Sequence, residues 1–494
     1  MAVTWSGHEG VETTGALVEV EDAPDARDAD VAALGMALPP AVARAKDAGY
    51  LARAAALCRD GIAADPASPL VPRLRLEWHR LARLAHEYRL PLGDAVGALR
   101  AAGADASFDD VCALAARGRI DVRFIAGTPC TLPHFIDTLR IYADEVPGLE
   151  PEPGAAAELA ACRAVRDEMR AAGGAARSIT VRATLSVDRA GADDDVRIWL
   201  PVAAEAPQLS RIEVLDASAG GFLAAPDAPA RTMSWRRTGP ATCSVTYRFR
   251  IDAPYIDLWG GRGAAPVAPR AVPCAPPCAA DLAEEAPHIA FTPLVRAVAE
   301  RVRAAAYDDT PLELARAAYD YVTEHISYRY QPSYIQLDAI PDSCLSSGYG
   351  DCGMMALTFI ALCRCLGVPA RWQSGLFAAP HGITPHDWAM FHTPETGWRW
   401  ADCSFGVSAR RAGDEELRRF YFGNLDPWRA VFNRAFLAPF DPAGTGMRRD
   451  PFDNQMGEAT VRGRGADADR MTQTVELIAL QELPWDAAEP PRLA

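Results

Sequence analysis

Gly350-Asp351-Cys352-Gly353 heads an apolar run that continues to Leu366 and is closed by Gly367-Val368-Pro369. The pattern predicts a helix with a cysteine on its first turn. Asp351 suits the N-cap, where its carboxylate can accept from the free N–H groups of Gly353 or Met354. Gly367 stands where a left-handed residue ends a helix, and Pro369 blocks continuation. Cys352 would then lie at the positive end of the helix dipole, which favours thiolate over thiol. A cysteine so placed is a candidate nucleophile, although core packing is the commoner use of a single cysteine.

Downstream, His386-Asp387-Trp388-Ala389-Met390-Phe391-His392 and Gly397-Trp398-Arg399-Trp400-Ala401-Asp402-Cys403 read as two strands joined by Thr393-Pro394-Glu395-Thr396. Antiparallel pairing of Thr396 with His392 leaves a loop of about three residues, a common hairpin length. That register sets His386 directly opposite Asp402 on one face, with Cβ atoms about 4.5–5.5 Å apart. A nucleophile at a helix start, with a base and its orienting acid on adjacent strands, is the Cys-His-Asp arrangement of thiol acyl transfer. His381, in a Pro380-His381-Gly382 turn, and His392, near the hairpin end, suit the base role less. Asp387 is expected on the opposite strand face, and Asp351 is spent as a cap.

Tyr319 to Gly406 contains Gly-Asp-Cys-Gly, Leu-Gly-Val-Pro-Ala-Arg, His-Asp-Trp-Ala and Trp-Arg-Trp-Ala-Asp-Cys-Ser, and in these motifs it resembles the transglutaminase-like superfamily. The resemblance implies a papain-like core, shared by transglutaminases, cysteine peptidases and inactive relatives. It assigns Cys352, His386 and Asp402 to the nucleophile, base and acid. The runs Tyr421 to Pro427 and Asp453-Asn454-Gln455 resemble the C-terminal part of bacterial multidomain members. Arg197 to Val202 resembles a strand that precedes their catalytic domain.

The expected function is thiol-dependent acyl transfer on peptide or amide bonds through a thioester, ending in hydrolysis as in a cysteine peptidase or amidase. A protein-glutamine transglutaminase, with an amine acceptor instead of water, is the alternative; a non-catalytic binding scaffold is the second. The substrate is expected to be a protein or peptide. The Cys352 N–H and one further donor would meet the oxyanion, and Tyr330, Gln331, Tyr334 and Gln336 are candidates for the second. No cofactor is expected. Cys274 and Cys278 lack a second Cys/His pair at matching spacing, so no metal is expected either.

Positioning these residues takes a large chain. A prior of about 100–200 residues per domain gives roughly three to four domains for this length. A net charge of −15 without a basic cluster argues against nucleic acid or an anionic membrane as partner. No signal peptide and no membrane span are read, and the 12 cysteines read as free thiols, so a cytoplasmic location is expected. The expected fold class is multidomain α+β. Residues 1–37, acidic and aperiodic, are expected to form a disordered tail. Residues 38–173 form an all-α domain in which Leu74, Trp78, Leu81, Ala85 and Tyr88 mark one helix face. Residues 176–258 alternate with period two, as at Ile179, Val181, Ala183 and Leu185, and predict a small antiparallel β-sandwich. A Pro/Ala-rich linker spans 259–290, the transglutaminase-like catalytic domain 291–440, and an extension with one late strand 441–494. Thr292-Pro293 and Thr310-Pro311-Leu312-Glu313 open the catalytic domain as two capped helices.

Overall fold

Helices form over Pro40–Asp47, Leu51–Ala64, Val71–Glu87, Leu92–Ala101, Phe108–Ala116 and Phe135–Ile141 in a computed structural model of the chain, which describes residues 2–6, 18–21, 23, 26–260, 272, 274–467 and 469–486. These helices belong to a unit made of His8–Pro153 with Arg329–Asp338. Leu74, Leu81, Ala85 and Tyr88 pack with Leu51, Ala54 and Cys58, as their helical spacing requires. On the same helix Glu77 is buried among Arg73 at 2.6 Å, Arg80 at 2.7 Å and Lys46 at 2.7 Å. Burial pushes the Glu77 carboxyl up, but Arg80, Lys46 and Arg73 outweigh it and bring it down to about 2. Arg80 also donates to the carbonyls of Ile335 and Gln336 and pairs with Asp338, which ties Arg329–Asp338 to this unit.

Several boundaries differ from expectation. The helical unit is not all-α, because Leu90–Pro91, Thr128–Thr131 and Val122–Ile125 form a three-stranded sheet. The stretch expected as a tail instead supplies a strand, Ala2–Ser6, and a 3-10 helix, Asp28–Gly35. Asp30 receives two hydrogen bonds of 2.7 Å from Arg75, so its charge is paired, not solvated. Positions 7–17 of that stretch lie outside the described residues. Helix Ala155–Ala172 leaves the helical unit: Cys162, Val165 and Met169 enter the core of the β-sandwich.

The second unit comprises Met1–Gly7, Gly154–Tyr328 and Ala339–Ala494. Its sandwich has one antiparallel sheet in the order Ala2–Ser6, Met471–Leu483, Gly174–Val187, Ala241–Pro254, Leu209–Ala217. The other runs Arg464–Gly465, Glu458–Val461, Asp195–Pro201, Thr232–Thr238, Phe222–Leu223. The period-two residues Ile179, Val181 and Leu185 meet Val196, Ile198 and Leu200 in a shared core. Among the described residues the 441–494 extension thus contributes three strands instead of one.

The same unit holds the core elements α1 (Pro293–Ala305), α2 (Pro311–His325), α3 (Ile340–Ser347), α4 (Cys352–Cys365), β1 (Ala370–Ala379), β2 (Gly382–Thr393), β3 (Gly397–Ala401), α5 (Cys403–Arg411), α6 (Glu415–Phe420), β4 (Phe422–Gly423) and β5 (Arg429–Asn433). Thr292 and Thr310 cap α1 and α2 through their side chains. The sheet order is β4-β3-β2-β1-β5. Helix α4 is buried from Gly353 to Arg364 and packs on β2, with Phe359 edge-on to Phe391. Phe377, Trp388 and Trp400 of the sheet share one apolar core with Leu185 and Val245 of the sandwich, so the two regions expected to be separate domains are not separable by packing. Of the 259–290 linker, 261–271 and 273 lie outside the described residues. The described remainder is anchored, with Arg371 on Asp281 at 2.6 Å and the Trp398 indole N–H on the Ala275 carbonyl at 2.9 Å.

Glu77→Gln should destabilise the helical unit by about 3–5 kcal/mol, because three buried or half-buried cations lose their shared anion. The Glu77 carboxyl is lowered by folding, so its contribution is complete above the ordinary carboxylate range and fades as the pH falls toward 2. Denaturant midpoints measured between pH 7 and 3 should therefore converge for the two proteins at the acid end.

Candidate active site

The sulfur of Cys352 is placed by the start of α4. Asp351 has extended backbone geometry, and its carboxylate accepts from the Met354 N–H at 3.0 Å, so the helix begins at Cys352. The side chain is partly accessible. Its Sγ donates to Asp387 Oδ2 at 3.2 Å. Desolvation of the sulfur, followed by the Asp387 and Asp351 carboxylates, pushes the thiol well above its ordinary range. The helix-start dipole is outweighed here, and the sulfur rests as a thiol.

The β2–β3 hairpin is real, but its register is shifted. Met390 pairs with Trp400, His392 with Trp398 and Thr393 with Gly397, so His392 is not opposite Thr396 and His386 is not directly opposite Asp402. Turn chemistry sets this register. Thr393 Oγ1 accepts from the Thr396 N–H at 3.2 Å, and Gly397 takes φ +68° at the start of β3. The shift is an even number of residues, so His386 and Asp402 keep a common face. His386 Nε2 lies 2.8 Å from Asp402 Oδ2.

Asp402 is held from four directions. It caps α5, with Oδ1 accepting from the Phe405 N–H at 2.9 Å and the Ser404 hydroxyl at 3.0 Å. Its Oδ2 accepts from Arg429 Nη1 at 2.7 Å as well as from His386. Burial would raise this carboxyl, but His386 and Arg429 hold it well below the usual range. An ionised carboxylate only accepts, so Nε2 must carry the imidazole proton and Nδ1 is left as the basic nitrogen. The ring is fixed further by Phe405, edge-on at 4.9 Å between centroids.

The structure thus joins His386 to Asp402, and it joins Cys352 to Asp387, the next residue of the same strand. Strand alternation turns the two side chains to opposite faces, as expected, and the face of Asp387 is the one that meets α4. Sequence reasoning set Asp387 aside and missed its surroundings. Gln455 Nε2 donates to Asp387 Oδ1 at 2.7 Å and to the His386 carbonyl at 2.9 Å. Burial, followed by the Asp387 and Asp450 carboxylates, pushes the Asp453 carboxyl well above its usual range. Desolvation raises the Asp387 carboxyl to about 7, against the thiol hydrogen bond, which lowers it. Arg429 was also missed. A lone arginine in the apolar run Trp428–Phe432 was the available signal, because a buried guanidinium demands carboxylates.

Other candidates are accounted for elsewhere. The Gln331 and Gln336 amide groups donate to the carbonyls of Arg329 and Arg80, and Tyr330 and Tyr334 belong to the same Arg329–Asp338 segment of the helical unit. His381 faces Glu158 at 3.6 Å. Cys274 Sγ meets Arg371 at 3.2 Å, and no group of three or more potential ligands able to hold a metal occurs among the described residues.

A family model described as the core of the transglutaminase-like superfamily matches residues 296–403. No curated protein matches the chain. Among solved structures, a candidate cysteine protease from Cytophaga hutchinsonii is 14% identical, with 64% of this chain and 96% of that one covered and a TM-score of 0.38. The periplasmic domain of TgpA from Pseudomonas aeruginosa is 18% identical, with 52% and 96% covered and a TM-score of 0.26. Residues 296–403, which carry Cys352, His386 and Asp402, are similar to the core of the transglutaminase-like superfamily.

Proposed function

We propose that the chain is a cysteine hydrolase of peptide or amide bonds, with Cys352 as nucleophile, His386 as base and Asp402 as the acid that orients it. One observation carries this reading: consecutive residues of β2 touch the two ends of the reaction. His386 is hydrogen-bonded to Asp402 at 2.8 Å, and Asp387 to the Cys352 sulfur at 3.2 Å. Cys352 rests on Asp387, so in the reaction its side chain turns from Asp387 to the edge of β2, where Nδ1 of His386 takes the thiol proton as Sγ attacks the carbonyl carbon. The oxyanion is met by N–H groups of the first turn of α4, which have no intrahelical partner. The imidazolium, stabilised by ionised Asp402, returns its proton to the departing amine, and a thioester remains. Water then gives a proton to Nδ1, its oxygen attacks the thioester, and the acid and the thiol are released. No step needs a cofactor. The substrate is a protein or peptide.

Cys352→Ala should abolish hydrolysis of a peptide-amide library. Release of free acid without an added amine supports hydrolysis; product that forms only with a primary amine would replace this reading by transamidation through the same thioester.

Asp402→Asn should lower the single-turnover acylation rate by about 10²–10³-fold once retention of fold is verified, because Asn permits the wrong tautomer of His386. His386→Ala should cost at least as much, and adding Asp402→Asn to it little more, since no imidazole is left to orient. Multiplicative losses would overturn the pairing of roles.

A further inference from the structure

Two hydrogen bonds next to Cys352 are not steps of the hydrolysis. Cys352 Sγ donates to Asp387 Oδ2 at 3.2 Å, and Gln455 Nε2 donates to Asp387 Oδ1 at 2.7 Å. Both oxygens accept, as those of an ionised carboxylate do. Gln455 Nε2 also donates to the His386 carbonyl at 2.9 Å, so one amide group bridges the Asp387 side chain and the backbone of β2. The segment that brings Gln455 there is itself fixed. Ser374 of β1 pairs with Asp387 on one side and with Asn433 of β5 on the other. Asn433 Nδ2 donates to Ser374 Oγ at 2.9 Å and to the Asn454 carbonyl at 3.2 Å, and Asn454 Oδ1 accepts from the Gly457 N–H at 2.8 Å. Ser374, Asp387, Asn433 and Asn454 are all buried. A buried polar row is costly unless its members bond to one another, which holds each of them in place.

We propose that Asp387 and Gln455 are positioning residues for the nucleophile: Asp387 holds the Cys352 thiol in a resting rotamer away from His386, and Gln455 clamps Asp387 to β2 to keep it there. This rests on the reading of Cys352 as nucleophile. While Asp387 Oδ2 accepts the S–H, the sulfur keeps its proton, because a thiolate there would face a carboxylate away from water. Asp387 and His386 point to opposite faces of β2, so the sulfur cannot serve both at once. Rotation about the Cα–Cβ bond of Cys352 breaks the S–H···O hydrogen bond, and only then does His386 Nδ1 receive the proton. The S–H bond breaks as an N–H bond forms on His386, and Asp387 neither gains nor loses a proton. The other charged groups acting on Asp387 and the sulfur are Asp351 at the head of α4, and Asp450 and Asp453 in the C-terminal segment; β1 contributes the uncharged Ser374. These acids add to the same repulsion, and His386 is turned to Asp402.

Releasing the thiol must then make Cys352 alone more reactive, which separates this role from a merely structural one. The measurement is the iodoacetamide alkylation rate of Cys352 in the full chain from pH 6 to 9, read by peptide mass spectrometry. Circular dichroism checks the fold, and the buried Cys363 and Cys403 serve as internal references. At pH 8 Asp387, raised by burial to about 7, is charged. Asp387→Asn keeps its shape and removes the charge, so the profile should move to lower pH, with about tenfold faster alkylation at pH 8 for each pKa unit. Gln455→Leu keeps the bulk and removes both donated hydrogen bonds, so Asp387 loses its clamp and alkylation should quicken about three- to tenfold. Adding Gln455→Leu to Asp387→Asn should change little, since no charge is left to place. Unchanged or slower alkylation of Cys352 in either single variant, or gains that multiply in the double variant, overturns the proposal. A variant in which Cys363 or Cys403 quickens as well counts as unfolded, and the other single variant then decides. If both unfold, wild-type Cys352 must alkylate more slowly at pH 8 than exposed Cys278, and faster alkylation overturns the proposal. Alkylation needs no substrate. Hydrolysis surviving in Cys352→Ala would instead defeat the functional reading, so the two failures are distinct.

Discussion

A guanidinium sealed from water between two carboxylates is the interaction on which the site depends. Arg429 has no solvent exposure; it meets Asp402 at 2.7 Å and Asp426 at 2.7 Å. Removing one partner of such a buried set costs several kcal/mol, because the remaining charge has no water to turn to. The arrangement therefore holds only if β5, which carries Arg429, stays in register beside β1 and close to the end of β3. Asp402 passes this constraint on: one oxygen fixes the start of α5, the other the imidazole of His386. The guanidinium also lies 4.2 Å from the Phe405 ring centre, and that ring is the edge contact of His386. Charge, cap and ring orientation are one cooperative structure.

The parts of the site that local chemistry dictates were legible in the sequence. Asp351, Gly367 and Pro369 delimit α4 by capping and backbone geometry, and α4 begins at Cys352. The alternation of β2 places His386 and Asp387 on opposite faces whichever register the hairpin takes. The register itself was not legible from loop length alone. A three-residue loop fits two alignments, and the choice was made by the Thr393 hydroxyl and the positive φ of Gly397. Asp387 was dismissed because it lies away from Asp402, yet α4 packs on its face of the sheet.

Long-range partners left weaker traces. Asp30 reads as a solvated acid until Arg75 is known to face it. Helix Ala155–Ala172 carries a helical period like its predecessors, and nothing in that period says that Cys162, Val165 and Met169 will face strands. Gln455 is a polar residue in an irregular segment, and its tie to the His386 carbonyl joins residues 69 apart in the chain. Period and propensity report which face of an element is apolar. They are silent about which element covers it.

The strand Ala2–Ser6 pairs with Met471–Leu483 within its sheet. Translation proceeds from the N-terminus, so this short strand is made early and must wait for a partner made hundreds of residues later. The same late part of the chain delivers Gln455 to the strand that carries His386. A nascent chain halted before that point holds Cys352, His386 and Asp402 but not Gln455, which bonds to β2 at His386 and Asp387. Chain order thus acts as a timer: the thiol is synthesised about a hundred residues before Gln455, so its surroundings are complete only after that later segment has emerged.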